Sequence, residues 1–353
     1  MNFLCFGVGA IGTYIGGSLA ASGQRVVFID RPAVVDQVRS NGLHLHYHGQ
    51  EKQVNHPEVV GSLEEALNLS SYDAAILAVK SFDTAAVLAE AQRFREQMPP
   101  VLCLQNGVEN EARIAETLGP EKAVSGTVTT AIGRGKVGHI TVEKLRGVGV
   151  ALDHPMGRSL VNAMNAAGLK ARGYANGPSL KWSKMLTNLL ANASSAILDM
   201  SPTEIFSHPG LYRIESWMFK EALATMNAQS ILVCDLPATP VRLLTLIIRT
   251  LPPAISRPLL VRTLGKGRGG KMPSFHIDLY GGRGKSEVDY LNGAVVRFGK
   301  RLRVATPVNR WLNQTLLALT NGTLAKAEYA HQPKKYIQDI TSGRPLHEHT
   351  ILG

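Results

Sequence analysis

The fold is decided by Met1-Asn-Phe-Leu-Cys-Phe-Gly-Val-Gly-Ala-Ile-Gly12, together with the apolar Arg25-Val-Val-Phe-Ile29 that follows it. Residues 3–6 are apolar enough for a buried strand, and glycines come directly after them at positions 7, 9 and 12. Residues 10–22 predict a helix that Gly23 closes. A strand, a glycine turn, a helix and a second strand within about thirty residues form a βαβ unit.

Strands and helices continue to alternate along the first half of the chain. Apolar runs typical of strands occur at 74–79, 101–104, 123–128 and 148–152, with helical stretches between them. This alternation predicts a parallel, doubly wound sheet. After the helix breakers Asn176-Gly177-Pro178 the periodicity is only helical, over 180–200, 212–230, 287–301 and 307–320. We therefore predict a Rossmann-like α/β domain over 1–175 and an all-helical domain over 176–353, with an irregular tail from 333.

Chain length and cysteine content indicate how many domains to expect and in which compartment. A chain of 353 residues is too long for one ordinary core, so two domains are expected. Cys5, Cys103 and Cys234 are odd in number and lack metal-ligand spacing. Because Cys5 and Cys103 lie in apolar runs, we expect buried, reduced thiols and a cytoplasmic protein. The first residues lack a basic stretch and are followed at once by the glycines, so we expect no signal peptide there.

The net charge of +11 is concentrated in one segment. Between Asp235 and Asp278 there are seven basic residues and no acidic one. The segment either attracts anions or is a solvated basic face, and we favour the second interpretation. It lacks interleaved aromatic residues, so no nucleic-acid partner is expected. Pro252-Pro253 and two arginines interrupt its apolar part, which predicts two short helices and no stable membrane insertion.

The glycine turn predicts a dinucleotide site. Its spacing is G-x-G-x-x-G after a strand and before a helix, which places pyrophosphate at a helix N-terminus. The cofactor-binding residues would be Gly7, Val8, Gly9, Ala10, Ile11 and Gly12. The second strand ends in Asp30-Arg31, where an acid favours the ribose hydroxyl of NAD and an arginine favours the 2′-phosphate of NADP. The two residues leave NADPH and NADH both open.

A polar stripe and two strand ends predict the rest of the site. Lys184, Asn188 and Asn192 recur every four residues, so on one continuous helix they follow one face. An ammonium and two carboxamides beside so much apolar surface are costly unless they face a ligand or partners. Lys80 and Asn106 come just after predicted strands, at the carboxyl ends where open α/β sheets bind ligands. Together these residues predict a pocket for a small polar molecule.

Two further patterns, the alternating histidines and the residues around Ser286, predict local structure. His44, His46 and His48 alternate, which fits either a metal site or the wet face of an edge strand. No carboxylate or cysteine cluster accompanies them in sequence, so we favour the edge strand and expect no metal. Ser286, with Asp289 three positions on, predicts a capped helix whose first turn contains Glu287.

In this order the motifs resemble the 2-dehydropantoate 2-reductase family, also called ketopantoate reductase. The resemblance rests on the glycine fingerprint, Ala78-Val79-Lys80, Leu104-Gln-Asn-Gly107, the Lys184/Asn188/Asn192 stretch, and Ser274 with Asp278 and Glu287-Val-Asp289. It spans roughly residues 1–325. The resemblance implies NADPH-dependent reduction of 2-dehydropantoate to pantoate, a step towards pantothenate and coenzyme A.

The resemblance also implies roles for single residues. Lys184 would be the general acid, and Glu287 would assist in the same site. Asn106, Asn188, Asn192 and Ser274 would hold cofactor and substrate, Lys80 would lie near the reacting centre, and Arg31 would contact the 2′-phosphate. A ketone that accepts hydride becomes an alkoxide, which needs a proton and a nearby positive charge.

Three alternatives remain open at the level of sequence. The chain could reduce another branched 2-oxo acid on the same scaffold. It could be a regulator that senses NADP(H) without chemistry, although such a protein has no need of the Lys184 stripe. It could also be a membrane-associated enzyme anchored at the interface by 243–264. The oligomeric state is not determined, and a homodimer is one option.

Overall fold

The computed structural model describes residues 1–47, 49–268 and 272–343. They divide into two compact units, one comprising 1–184 and 234–239 and the other 185–233 and the chain from 240 onward. The first unit is α/β, and the described regular elements of the second are all helical. The predicted fold class is therefore confirmed. The units separate after Lys184 rather than at the predicted 175, inside a helix, and the functional domain limits remain a prediction.

All strands of the described residues lie in the first unit. In chain order they are β1 (Asn2–Phe6), β2 (Arg25–Ile29), β3 (Leu43–Tyr47), β4 (Gln50–Val54), β5 (Glu58–Val60), β6 (Ala74–Leu77), β7 (Val101–Cys103), β8 (Ala123–Val128), β9 (Ala131–Arg134), β10 (His139–Lys144), β11 (Val148–Ala151) and β12 (Ala171–Tyr174).

Six helices belong wholly to this unit and a seventh leads out of it. They are α1 (Ala10–Ala21), α2 (Pro32–Asn41), α3 (Leu63–Leu69), α4 (Thr84–Gln92), α5 (Asn110–Leu118), α6 (Gly157–Ala166) and α7 (Gly177–Leu189). The described helices of the second unit are α8 (Asn192–Leu198), α9 (Pro202–Ser207), α10 (Pro209–Asn227), α11 (Val241–Thr250), α12 (Pro253–Arg268), α13 (Ser274–Tyr280), α14 (Val288–Leu302), α15 (Pro307–Thr320) and α16 (Pro333–Ser342).

The large sheet of the first unit has the strand order β12-β11-β8-β7-β6-β1-β2-β5. Its neighbouring strands are parallel, as predicted, except that β11 runs antiparallel to β8. A second sheet of order β4-β3-β10-β9 was not predicted. Its strands are short and half exposed, so their pattern is weaker than that of the buried strands.

Helices cover both faces of the large sheet because its central strands are apolar on both sides. In β1, Phe3 and Cys5 pack in a core formed with α1, α6 and the small sheet. Leu4 and Phe6 pack in a second core with α3, α4 and α5. Successive side chains of a strand point to opposite faces, so a continuous apolar run is buried on both. Cys5 and Cys103 are buried free thiols, as expected.

The second unit is built around α10. This helix contacts α9, α12, α14, α15 and α16. Its Glu221 accepts hydrogen bonds from the backbone N–H groups of Val308 and Asn309, both 2.9 Å, and so caps the start of α15 from another helix. Burial raises the pKa of Glu221, while these hydrogen bonds lower it, with a net rise.

One sequence prediction about this unit is corrected. Over its described part, residues 333–343, the tail is not irregular, since α16 spans Pro333–Ser342 and buries Tyr336 completely. Short polar helices of this kind are stabilised by tertiary packing rather than by a visible pattern. The predicted break into two helices at Pro252-Pro253 is confirmed as α11 and α12, but α12 has 16 residues and is not short. None of the described helices is long and apolar enough to cross a membrane.

The close approach of α1 to β1 generates the first testable prediction. A Cβ on Gly12 would lie 1.8 Å from the Gly7 carbonyl oxygen, whereas a Cβ on Gly9 meets nothing within 4 Å. Gly12→Ala should therefore lower the free energy of unfolding by about 3 kcal/mol or more. Gly9→Ala, the matched control, should change it by less than about 0.5 kcal/mol. Chemical denaturation measures both, and equal stability of the two variants would contradict this packing.

Candidate active site

The glycine turn forms the first part of the site. Gly7 follows β1 with φ +96°, a conformation that favours glycine. Its N–H donates to the Ile29 carbonyl oxygen at 2.9 Å, which ties the turn to the end of β2. Gly9 is the N-cap of α1, and no side chain caps the helix there. A helix N-terminus with backbone N–H groups and open space at Gly9 can accept a pyrophosphate.

The acidic residue at the end of β2 lies against this turn. Asp30 accepts a hydrogen bond from Val8 N–H at 2.7 Å through Oδ2 and from Arg31 N–H at 2.8 Å through Oδ1. The side chain of Arg31 is 86% exposed, with its Nε 3.8 Å from Asp30 Oδ1. The carboxylate is placed to bind a ribose hydroxyl, and the guanidinium can reach a phosphate outside it.

The two loops after β6 and β7 are joined by hydrogen bonds. Lys80 and Asn106, the residues predicted there, are both half-buried. Ser81 Oγ donates to the Asn106 carbonyl oxygen at 2.9 Å, and Gln105 Nε2 donates to the Val79 carbonyl oxygen at 2.9 Å. The backbone beside each predicted residue is thus fixed by the neighbouring loop. This arrangement follows from the parallel pairing of β6 with β7.

Sequence reasoning missed the buried polar residues that make this junction. Ser81, Thr84, Gln105 and Asn110 are all buried. Asn110 Nδ2 donates to the Asn106 carbonyl oxygen at 2.9 Å, and Gln105 Nε2 also donates to Thr84 Oγ1 at 2.8 Å. Isolated polar residues carry no periodic signal, so only the pairing of the two loops identifies them as one network.

Helix α7 carries the lysine predicted as the general acid. Lys184 and Asn188 lie one turn apart on it and are half-buried, while Met185, Leu186 and Leu189 are buried. Two of the three residues of the predicted polar stripe therefore lie on this helix, beside buried apolar side chains. An ammonium on such a helix can donate a proton, and a neighbouring carboxamide can donate a hydrogen bond without titrating.

The continuous helix predicted over 180–200 is wrong. Helix α7 ends at Leu189, and α8 begins at Asn192 after Ala191, whose φ is +54°. The buried carboxylate of Glu215 on α10 accepts a hydrogen bond from Ala191 N–H at 2.6 Å and another from the Ser194 hydroxyl. Ser194 Oγ also lies 2.6 Å from the Tyr336 hydroxyl oxygen. The hydrogen bonds to this carboxylate offset the backbone strain at Ala191 and provide an acceptor for polar groups at the start of α8.

Asn192 and Ser274, both predicted to hold ligand, are brought together in the second unit. The side-chain amide of Asn192 makes both contacts: its Oδ1 accepts a hydrogen bond from Phe275 N–H at 3.1 Å, and its Nδ2 donates to Ser274 Oγ at 3.4 Å. Asn192 therefore fixes the first turn of α13. Through this contact it also orients the Ser274 hydroxyl, a role that the four-residue spacing did not suggest.

Glu287 differs from its predicted position in a helix. It is the N-cap of α14, only 2% exposed, and not a first-turn residue. The expected capping box is absent, because Asp289 instead accepts hydrogen bonds from Arg297 Nη1 at 2.9 Å and Asn313 Nδ2 at 3.2 Å. Ser286 Oγ accepts from Val288 N–H at 3.2 Å. Tertiary partners for Asp289 thus override the local cap.

The histidine pattern does not lie on an edge strand. His44 and His46 are in β3, which pairs with β4 on one side and β10 on the other, while His48 lies outside the described residues. His44 stacks on His139 with ring centroids 4.2 Å apart, and its Nδ1 lies 2.7 Å from Glu51 Oε1. The hydrogen bond with His44 lowers the pKa of Glu51. In the described ranges, no cluster of His, Cys, Asp or Glu is arranged for a metal.

The basic segment places apolar side chains as well as charges at the surface. Leu243, Leu246, Ile255 and Leu259 are exposed. Arg257 Nη1 donates to the Ser207 carbonyl oxygen at 2.6 Å, so this arginine has a structural role. Lys271 of the predicted basic group lies outside the described residues.

Comparison with protein families identifies both halves of the chain. A family model described as ketopantoate reductase PanE/ApbA matches residues 3–150. A second, described as the C-terminal part of ketopantoate reductase PanE/ApbA, matches residues 179–322. Together the two models span the glycine turn, both loops, α7 and the helices that carry the other predicted site residues.

Individual relatives are similar over nearly their whole length. The chain is 26% identical to the 2-dehydropantoate 2-reductase of Pyrococcus horikoshii over 318 residues, which is 88% of this chain and 94% of that protein. A ketopantoate reductase crystal structure from Ralstonia eutropha JMP134 is 25% identical with TM-score 0.76, covering 91% and 99% of the two chains. D-mandelate dehydrogenase with NADH and anilino(oxo)acetate has the same fold, at 23% identity, TM-score 0.75 and coverages of 91% and 99%.

The break between α7 and α8 generates the second testable prediction. Glu215→Leu should lower the free energy of unfolding by about 2 kcal/mol or more, because the Ala191 N–H and the Ser194 hydroxyl lose a buried acceptor. Glu215→Gln, the matched control, can accept from Ala191 and donate to Ser194, so it should lose less than half as much. Denaturation curves at neutral pH provide the comparison. A leucine variant as stable as the wild type would show that the carboxylate does not hold the break.

Proposed function

The chain belongs to the ketopantoate reductase PanE/ApbA family, and on that basis we propose that it reduces 2-dehydropantoate (ketopantoate) to pantoate with NADPH. Members of this family are NAD(P)H-dependent 2-oxo acid reductases. The proposed role of the product is in pantothenate and coenzyme A synthesis, in the cytoplasm.

One observation carries the proposal: Lys184 is half-buried beside the buried apolar side chains of α7, in a chain whose glycine turn has open space for a cofactor. NAD(P)H supplies a hydride when it is bound. The residues fit such a cofactor, because the N-terminus of α1 has no side-chain cap and a Cβ on Gly9 would have open space. The carbonyl oxygen of the substrate gains negative charge as it is reduced, and the Lys184 ammonium is proposed to donate the proton.

The other predicted residues are proposed to bind and orient. Asn188, Asn192 and Ser274 would donate hydrogen bonds to the 2-oxo acid, and Lys80 would attract its carboxylate or the cofactor. Asn106 would hold the cofactor beside the reacting centre, and Glu287 would assist Lys184. The supporting observations are the Asn192–Ser274 hydrogen bond and the fixed backbone around Lys80 and Asn106.

The identity of the acid can be tested with a substrate panel. Oxidation of NADPH and of NADH would be followed with ketopantoate, 2-ketoisovalerate and an aryl 2-oxo acid. If the pocket binds the hydroxyl of ketopantoate, 2-ketoisovalerate should have a kcat/KM lower by at least about a hundredfold, because a buried polar group would be left unpaired. Equal use of both acids would favour the alternative, a reductase for another branched 2-oxo acid.

A non-enzymatic alternative is separable by the same assay. A regulator that senses NADP(H) would bind the cofactor and oxidise it with none of these acids. The Lys184–Asn188 pair argues against this alternative, because binding a dinucleotide at the glycine turn does not require it. Sedimentation with liposomes would address membrane association through 243–264, whose exposed leucines are the observation behind that idea.

Lys184 provides the third testable prediction. Lys184→Ala should reduce kcat by about a hundredfold or more, the usual contribution of a general acid. The variant should still bind NADPH, because the glycine turn is unchanged, and fluorescence titration of the reduced cofactor measures this. Wild-type turnover in a folded Lys184→Ala protein would refute the proposed role.

Asp30 and Arg31 provide the fourth testable prediction, about the cofactor. Asp30→Asn keeps an acceptor for Val8 N–H but removes a negative charge near the expected 2′-phosphate. It should raise the ratio of kcat/KM with NADPH to that with NADH by about tenfold, since one screened charge interaction is worth on the order of 1 kcal/mol. Arg31→Gln should lower the same ratio by about tenfold. Unchanged ratios in both variants would exclude these two residues as the determinants.

A further inference from the structure

Lys181 is a buried lysine that the proposed reaction does not use. It lies one helical turn before Lys184 on α7 and is only 4% exposed. Its Nζ donates to the carbonyl oxygens of Gln105 at 2.6 Å and Gly126 at 3.2 Å. It also lies 2.8 Å from Glu111 Oε1 and 3.9 Å from the Cys103 sulfur. A buried ammonium has three protons to satisfy, and two carbonyl groups and a carboxylate surround this one.

The surroundings keep this ammonium charged. Burial alone lowers the pKa of Lys181, but Cys103 and the Glu111 carboxylate raise it, and the net shift is upward. Burial raises the pKa of the Cys103 thiol to about 12, so the thiol is neutral at neutral pH, and the Glu111 carboxylate 2.8 Å away is the charged group that stabilises the ammonium there. Lys181 is therefore a fixed positive charge. It is poorly suited to exchanging protons, which separates it from the role proposed for Lys184.

The partners of Lys181 lie around the loop that carries Asn106. Gln105 directly precedes Asn106, Gly126 lies in β8 next to β7, and Glu111 is in the first turn of α5. One ammonium thus joins α7 to the strand ends and to the loop that carries Asn106.

We propose that the Lys181–Glu111 ion pair is a positioning device that fixes α7 against the loop after β7, and so sets where Lys184 lies relative to Asn106. The inference rests on the proposed function, because it gives the pair a purpose in catalysis. A shift of about 1 Å in a reacting group can reduce turnover by about a hundredfold. Removing the pair should therefore change kcat much more than cofactor binding.

The test compares the double variant Lys181→Met/Glu111→Gln with two controls. The double change removes both charges together, because a single Lys181→Met would leave Glu111 buried without its cation and could prevent folding. Glu111→Gln alone keeps an acceptor for Lys181 and should have the smaller effect. Lys122→Met is the matched control, since Lys122 Nζ also donates to a backbone carbonyl, that of Met98 at 2.6 Å, but next to the amino end of β8.

Active sites would be counted by titration with NADPH fluorescence, and kcat for the best 2-oxo acid would be expressed per titrated site. The double variant should lose at least about tenfold in kcat per site, with the NADPH Kd within about twofold of wild type. Lys122→Met should retain wild-type kcat. Wild-type kcat per site in the double variant would overturn the proposal. Parallel losses of cofactor binding and turnover would also overturn it, because they indicate a general loss of structure.

Hydrogen exchange separates failure of this inference from failure of the proposed function. If the wild type reduces no 2-oxo acid, the proposed function fails, and the positioning claim is then judged by amide exchange alone. Protection of α7 and of residues 105–107 should fall in the double variant and stay at the wild-type level in Lys122→Met. Unchanged protection in the double variant would refute the positioning role whatever the activity.

Discussion

The close approach of α1 to β1 is the constraint on which the first unit depends. A Cβ on Gly12 would meet the Gly7 carbonyl oxygen at 1.8 Å, so only glycine allows the helix to start immediately behind the turn. This approach brings the N-terminus of α1 to the carboxyl end of β1, where Asp30 closes the turn by accepting from Val8 N–H. The helix dipole and backbone donors then point at the place where a phosphate would bind.

Buried polar groups organise the remaining site residues. The amide of Gln105, the hydroxyl of Ser81 and the amide of Asn110, which donates to Ser81 Oγ, join the loops after β6 and β7. In the second unit, the Glu215 carboxylate holds the strained Ala191 between α7 and α8. Such groups are costly to bury unless they are paired, so the geometry that pairs them is strongly favoured over alternatives. The predicted site residues Lys80, Asn106 and Asn192 are next to these paired groups in the chain, so the hydrogen bonds fix the backbone from which their side chains extend.

Family membership identifies the class of reaction, whereas the identity of the acid depends on the geometry of the site. The two family models cover both halves of the chain and establish a 2-oxo acid reductase family. At about 25% identity, relatives named for 2-dehydropantoate and a similar fold named for D-mandelate do not separate one acid from another. That distinction depends on a few polar contacts at the far end of the substrate, which is why a hydroxyl-bearing and a hydroxyl-free acid are the informative pair.

From the order of the residues alone we could predict the α/β unit with its glycine turn, the helical second half, the break between two helices at Pro252-Pro253, and the family. These features depend on local signals, namely apolar runs, glycine spacing and breaker residues, which act within a few residues of each other. Four other features became apparent only in the folded chain: the Lys184–Asn192 stretch forms two helices, β3 is an inner strand, Asp289 does not cap its helix, and residues 333–342 form α16. The physical reason is common to all four. Each outcome depends on a partner distant in sequence (Glu215, β10, Asn313 or the pocket around Tyr336), and local propensity is too weak to oppose a buried hydrogen bond or a packed ring.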